Sequence, residues 1–250
     1  MYPYNPKSSR KTKTQRYKYV APAEPVIMPN YCLSDKAIVL DIDSTLLHTY
    51  DNHKKLLSLG LDDKYDKVSL DIKSRILIYE IDGKKYWSIL RPGVKEFLID
   101  CYSLFKYVIF WTAGNKAYAV KIVQLLHLYG PQHQFIFSRD DIKTIYEMEI
   151  ETEKGKEVEN VPIKDLKILI SKLKSEYDVH LKQEDIIVID DVESTFSRND
   201  KNAIWIPEFK PKPVIEKLSE EDDCFARITN WIYMNINKDM TCVAKEHIFL

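Results

Sequence analysis

Three runs of consecutive apolar residues, each ending directly in a polar functional group, narrow the folds open to this chain. They are Ile38-Val39-Leu40, Tyr107-Val108-Ile109-Phe110-Trp111 and Ile186-Ile187-Val188-Ile189. A strand with one solvated face alternates apolar and polar side chains, whereas an unbroken apolar strand is covered on both faces. Helical patterns separate the three runs, so the chain reads as a single α/β domain with a mainly parallel central sheet. Its 250 residues suffice for one sizeable core.

The polar groups that close the runs matter as much as the runs themselves. The first run ends in Asp41-Ile42-Asp43, the second in Thr112, the third in Asp190-Asp191. Ligands and catalytic groups collect at that C-terminal edge of an open α/β sheet. Asp41 and Asp43, one residue apart, would emerge on the same side if the strand continued through them, and on different sides if the chain has begun to turn. Two carboxylates that close repel unless a cation separates them or one holds a proton. A hard divalent ion such as Mg²⁺ is the usual answer. Lys164 opens an amphipathic stretch from Ile163 to Leu173. Together these residues form a phosphoryl-transfer set: a carboxylate nucleophile, a hydroxyl donor to phosphate, a cation for its charge, and metal ligands. Taken singly, Lys164 would be a solvated lysine, Thr112 a helix cap and Asp190-Asp191 a turn. Their joint order lifts them above that.

Elsewhere the pattern is plainer. Residues 1–34 read as a basic tail, with six basic and no acidic side chains in the first twenty. It would serve as a nuclear address, a phosphate-attracting arm or simply a solvated terminus. Ile76 to Ile81 and Lys85 to Leu90 flank Asp82-Gly83, a hairpin signal, while residues 50–74 read as irregular. Helices are expected over 94–103, over 115–129 closed by Gly130-Pro131, and over 214–219 and 224–236, with short strands at 135–137 and 203–206. Residues 140–160, with eight acidic side chains against three lysines, fit a hairpin or a solvated loop equally. The cysteines at 32, 101, 224 and 242 match no zinc spacing and read as free thiols of a reducing compartment. His48 reads as a packing residue and Trp111 likewise. The net charge of −1 gives no bulk argument for nucleic acid, and no apolar run is long enough to span a membrane, nor is there a signal-peptide pattern.

The order Asp-x-Asp, Thr, Lys, Asp-Asp resembles the haloacid dehalogenase superfamily. Within it the chain is most similar to the small CTD phosphatases, also called the NLI-interacting-factor-like family. The matching strings are LDIDSTLLHT at 40–49, YEIDGKKYWSILRPGVKEFL at 79–98, WTAGNKAYAVKIV at 111–123, FSRDD at 137–141, IKDLKIL at 163–169 and IIVIDDVESTF at 186–196. The resemblance implies a three-layer haloacid dehalogenase-like α/β domain with a small β-hairpin insertion and no large cap. The phosphatase core would be 35–220 and a helical extension 221–250. It also implies roles. Asp41 attacks phosphorus and forms an aspartyl phosphate, and Asp43 is the acid and base. Thr45, on the substrate-binding side, helps fix the turn that aims Asp43. Thr112 and Lys164 hold the phosphoryl group. Mg²⁺ is bound by Asp41, Asp191 and the Asp43 backbone carbonyl, with Asp190 in support. Arg139 resembles a position near bound peptide, with a structural ion pair as its rival. Tyr79, Trp87, Leu77 and Ile89 would line an apolar pocket for proline-containing phosphopeptides or equally fill the hairpin's core. The expected substrate is phosphoserine or phosphothreonine in protein, the repetitive tail of RNA polymerase II being the leading class. A nucleic-acid 3′-phosphatase using the basic tail and a catalytically idle binding module are the alternatives. The site of action would be intracellular, nuclear or cytoplasmic.

Overall fold

The computed structural model describes residues 32–61, 66–126, 134–141, 144–152 and 155–250. Residues 1–31 of the basic tail, and Gly130-Pro131, lie outside the described residues. The elements run β1 (Ser34–Leu40), β2 (Leu47–Tyr50), α1 (His53–Leu57), α2 (Lys67–Arg75), β3 (Ile76–Ile81), β4 (Lys84–Leu90), α3 (Val94–Leu104), β5 (Phe105–Trp111) and α4 (Lys116–Leu125). They continue with β6 (Gln134–Phe137), β7 (Thr144–Thr152), β8 (Gly155–Ile163), α5 (Leu166–Tyr177), β9 (Ile186–Asp190), β10 (Ala203–Trp205), α6 (Ile215–Leu218) and α7 (Cys224–Asn235).

Five strands form the central sheet in the order β10-β9-β1-β5-β6, every neighbouring pair parallel. The three apolar runs are its three inner strands, β1, β5 and β9. Period two sorts their side chains between two layers. Ile38, Leu40, Val108, Phe110, Ile187 and Ile189 share one buried cluster with α3, α4 and α7. Ala37, Val39, Ile109, Trp111, Ile186 and Val188 share the other with Leu166, Leu169 and Leu173 of α5. A fully buried Val, Leu or Ile side chain contributes about 1.5–3 kcal/mol, so this double coverage is what holds the sheet. It also explains why the strands show no polar alternation.

A smaller antiparallel sheet, β2-β4-β3, is inserted after β1. Asp82 (φ 50°) and Gly83 (φ 76°) make its tight turn, both in the left-handed region where Asp and Gly are tolerated. The expected hairpin is thus present, and Leu47–Tyr50 adds a third strand to it. Residues 50–74 depart from their irregular reading, since α1 and α2 lie there. Asp66 caps α2 by accepting from the Ser69 N–H at 2.9 Å. Ile72 and Arg75 are its only buried residues, so no apolar stripe announces it. β7 and β8 pair antiparallel in continuous register, so strands rather than a loop occupy 144–152 and 155–163. Nothing between β1 and α3, or between β5 and α5, amounts to a large cap among the described residues. Among those residues, too, no helix is long and apolar enough to cross a membrane.

Candidate active site

The central strand β1 has β5 on one side and β9 on the other, which makes its C-terminal end the point where the chain's crossovers diverge. Asp41 is the first residue past β1, and its N–H still donates to the Ile189 carbonyl at 3.0 Å. The strand proper stops at Leu40. The Leu46 and Leu47 N–H groups turn back to the Ile42 carbonyl, and Ser44 adopts φ 61°. The chain has therefore begun to turn between the two aspartates, and they make separate sets of contacts.

Asp41 belongs to an ionic cluster. Lys164 Nζ lies 2.5 Å from Asp41 Oδ1 and 2.8 Å from Asp190 Oδ2, and only 1% of Lys164 is exposed. The lysine sits between the end of β8 and Asp165, the N-cap of α5, so it precedes the helix rather than riding on it. Its N–H donates to the Thr195 carbonyl at 2.8 Å, and its ammonium lies 5.5 Å from the Phe196 ring centroid. Asp190 is held in turn by the Val192 N–H at 2.8 Å and the Thr195 hydroxyl at 3.1 Å. Burial opposes the Lys164 charge, yet Asp190 and Asp41 more than offset it and hold the ammonium above the usual lysine range. Burial pushes the Asp41 carboxyl well up, with Asp190 and Asp43 adding to the push and Lys164 pulling against it. Lys164 is therefore the group that favours the ionised form of Asp41 against its burial.

Asp43 belongs to a hydroxyl cluster instead. Thr112 Oγ1 donates to Asp43 Oδ2 at 3.1 Å, and the Tyr118 hydroxyl donates to Asp43 Oδ1. Burial raises the Asp43 carboxyl, the two hydroxyls lowering it in part. Thr112, just past β5, is anchored by its N–H to the Phe137 carbonyl at 3.2 Å and accepts from the Gly114 N–H at 2.9 Å. Asn115 caps α4 by accepting from the Tyr118 N–H at 2.8 Å, which places Tyr118 in the first turn, facing back toward the site. Gly114 is required by this approach, because a Cβ there would lie 2.7 Å from the Tyr118 ring. Sequence reasoning does not single out Tyr118, although Gly-Asn ahead of a helix is the signal available for it.

The remaining expected residues fall in several places. Asp191 accepts from the Thr45 hydroxyl at 3.1 Å, so that hydroxyl reaches Asp191 across the sheet edge rather than tying down its own turn. Burial, then the neighbouring Asp190 charge, pushes Asp191 up to about 6. Arg139 is exposed; its N–H donates to the Gly114 carbonyl and its Nε to the Ala113 carbonyl, both at 2.8 Å, which straps the 112–114 loop. Tyr79 and Trp87 are buried. Trp87 stacks on Tyr50 at 4.1 Å and donates to the Asn52 carbonyl, whereas the Tyr79 hydroxyl contacts Ser88 and Thr49. The structure places both inside the insert and not on an open wall.

A divalent cation can be tested against these donors. Asp41, Asp190 and Asp191 each bring a carboxylate oxygen within 4.8 Å of the others. Two of the three, Asp41 and Asp190, are already paired with the ammonium of Lys164. An all-oxygen set with surplus negative charge fits a hard cation such as Mg²⁺.

The family model described as NLI interacting factor-like phosphatase matches residues 36–234. A solved structure of Fcp1, an essential RNA polymerase II CTD phosphatase, is 20% identical and superposes with a TM-score of 0.51 over 70% of this chain and 42% of that one. A fission yeast Fcp1 variant bound to beryllium fluoride, again an RNA polymerase II CTD phosphatase, is 18% identical with a TM-score of 0.48 over the same shares. The chain thus spans less than half the length of these solved chains, and at such identity the first likeness is one of fold. No curated protein matches the sequence. The chain belongs to the NLI interacting factor-like phosphatase family.

Proposed function

We propose, from that membership and the geometry above, that this chain is a Mg²⁺-dependent phosphatase that uses Asp41 as its nucleophile. The observation that carries the proposal is the division of labour between the aspartates. Asp41 shares a buried lysine with Asp190, while Asp43 is held apart by Thr112 and Tyr118. An Asp41 oxygen attacks phosphorus, and the bond from phosphorus to the leaving oxygen breaks. Asp43 gives that oxygen its proton. Asp43 then takes a proton from water, whose oxygen attacks the aspartyl phosphate and releases inorganic phosphate and free Asp41. Lys164 and the Thr112 hydroxyl stabilise the charge on the transferring group. Mg²⁺, when bound by Asp41, Asp191 and the Asp43 backbone carbonyl, supplies further charge neutralisation; Asp190 keeps Lys164 in place.

The substrate class we propose is phosphoserine or phosphothreonine in protein, with peptides like the RNA polymerase II tail first among them. The lack of a large cap over the sheet edge among the described residues supports this, since an open edge admits an extended chain. The catalytic core would be 35–220, extended by the 221–250 segment whose α7 shares the core. The enzyme would act in the nucleus or cytoplasm. An assay of aryl phosphate hydrolysis with and without EDTA tests the chemistry; turnover that survives EDTA undiminished refutes the metal role, and no turnover under any condition favours an idle module. A panel of phosphoserine peptides, phosphothreonine peptides and 3′-phosphorylated oligonucleotides tests the substrate. An oligonucleotide preferred over every peptide overturns the protein-phosphatase reading.

A further inference from the structure

We infer that the hydroxyls of Thr49, Tyr79 and Ser88, one from each strand of the inserted sheet, are positioning residues for Asp43 and act through Tyr118. The inference rests on the reading of Asp43 as proton donor. Thr49 Oγ1 is 3.0 Å from the Tyr118 hydroxyl, 2.8 Å from Ser88 Oγ and 3.2 Å from the Tyr79 hydroxyl. Tyr79 and Ser88 are also 2.9 Å from each other. Thr49 on β2 and Ser88 on β4 are register partners, so the antiparallel pairing itself brings them face to face. Tyr79 approaches them from β3.

Each hydroxyl has one proton to give, and this sets the direction of the chain. Tyr118 gives its proton to Asp43. Its oxygen must then accept from Thr49, and Thr49 in turn accepts from Tyr79 or Ser88. The bonds through Tyr118 and Thr49 point inward to the carboxyl, while the contact between Tyr79 and Ser88 runs across that direction. Thr112 donates to the other oxygen until the phosphoryl group claims that proton, so Tyr118 is the contact that holds the Asp43 carboxyl through the transfer. A structural layer needs none of this. Valine, phenylalanine and alanine would fill the same space without burying the hydroxyls of Tyr79 and Ser88, and such apolar replacement is often neutral or stabilising. Ser88 is nevertheless fully buried and Tyr79 5% exposed. The insert is thus wired to the chemistry, not merely attached beside it.

The test is the leaving-group dependence of kcat/KM, which reports steps up to phosphoryl transfer and so isolates proton donation. An aryl phosphate needs little help from an acid, whereas a phosphoserine peptide expels an alkoxide and needs much. Thr49→Val should lower kcat/KM for the peptide ~10-fold, and the Tyr79→Phe/Ser88→Ala pair about 5-fold, since acid catalysis as a whole is worth roughly 100-fold or more. The aryl phosphate should lose a clearly smaller factor in each variant. Thr49→Ser, which keeps the hydroxyl, should restore the peptide rate. Equal losses on both substrates, or no loss on either, would overturn the inference. Asp43→Asn is the control. If it too shows no leaving-group dependence, the assignment of Asp43 falls and this inference with it. If Asp43→Asn shows the dependence and Thr49→Val does not, the positioning role alone is wrong.

Discussion

Lys164→Met is the most telling single perturbation, because it removes one cation from between two buried carboxylates while keeping the stem's apolar volume. Lys164 and Asp190 are each 1% exposed and Asp41 6%, so neither carboxylate can recover its lost partner from water. Removing one member of a buried ion pair costs about 3–5 kcal/mol, mostly the penalty of the charge left behind. In a domain of this size each kcal/mol moves the melting temperature by about 2–4 °C, which puts the expected fall at roughly 10 °C. Melting should be followed by circular dichroism in the presence of chelator, so that no metal stands in for the lysine. Adding Asp190→Asn to Lys164→Met should recover part of the loss, since one orphaned charge is then gone. Turnover should remain lost in both variants, because the phosphoryl charge has no cation from the chain. A Lys164→Met protein melting within about 2 °C of the parent would show that Lys164 does not compensate the charges of Asp41 and Asp190.

Three further outcomes are expected. Asp191 is raised to about 6 from an ordinary value near 3.8, so the folded chain holds that proton more tightly than the unfolded one and loses stability as pH rises between those values. In chelator, Asp191→Asn should therefore melt higher than the parent near neutral pH and match it in acid. The half-buried position limits the gain to about 1 kcal/mol, and a melt no higher at neutral pH would refute the shift. Gly114→Ala should cut kcat/KM about 10-fold or more with a loss of about 1–3 kcal/mol in stability, because the new methyl forces the Tyr118 ring off Asp43; unchanged kinetics would mean that contact is idle. Asp43→Asn should retain Mg²⁺ affinity by calorimetry while turnover falls about 100-fold or more. Metal affinity lost together with activity would make the Asp43 carboxylate a ligand.

The parts of this fold that are legible in the sequence are those whose burial leaves a one-dimensional trace. β1, β5 and β9 are covered on both faces, so each appears as an apolar run, and the groups ending those runs necessarily meet at one sheet edge. Where burial rests on hydrogen bonds the trace disappears. Arg75 is buried in α2 by bonds to Asp71 and to the Leu90 and Leu218 carbonyls, and a buried arginine spoils the pattern that would have disclosed the helix. The divergence of Asp41 and Asp43 depends on β1 ending at Leu40, and Asp41-Ile42-Asp43 carries no glycine or proline to mark that stop in the sequence. Tyr79 and Trp87 show the limit of alternation: the same spacing suits a pocket wall or a core face, and only three-dimensional packing decides between them. Tyr118 reads as an ordinary helix residue until Asn115 is seen to cap the helix beside Thr112. The family resemblance carries farther than any single motif, because it ties six separated strings to one edge.

The central claim is that Asp41 accepts the phosphoryl group, and a rapid acid quench during turnover addresses it most directly. Substrate labelled in the phosphoryl group should leave label on the enzyme in an acid-stable, hydroxylamine-sensitive form, as an acyl phosphate must. Peptide mapping should place it on Asp41, and Asp41→Asn should carry none. Label on any other residue, or full turnover by Asp41→Asn, would contradict the account.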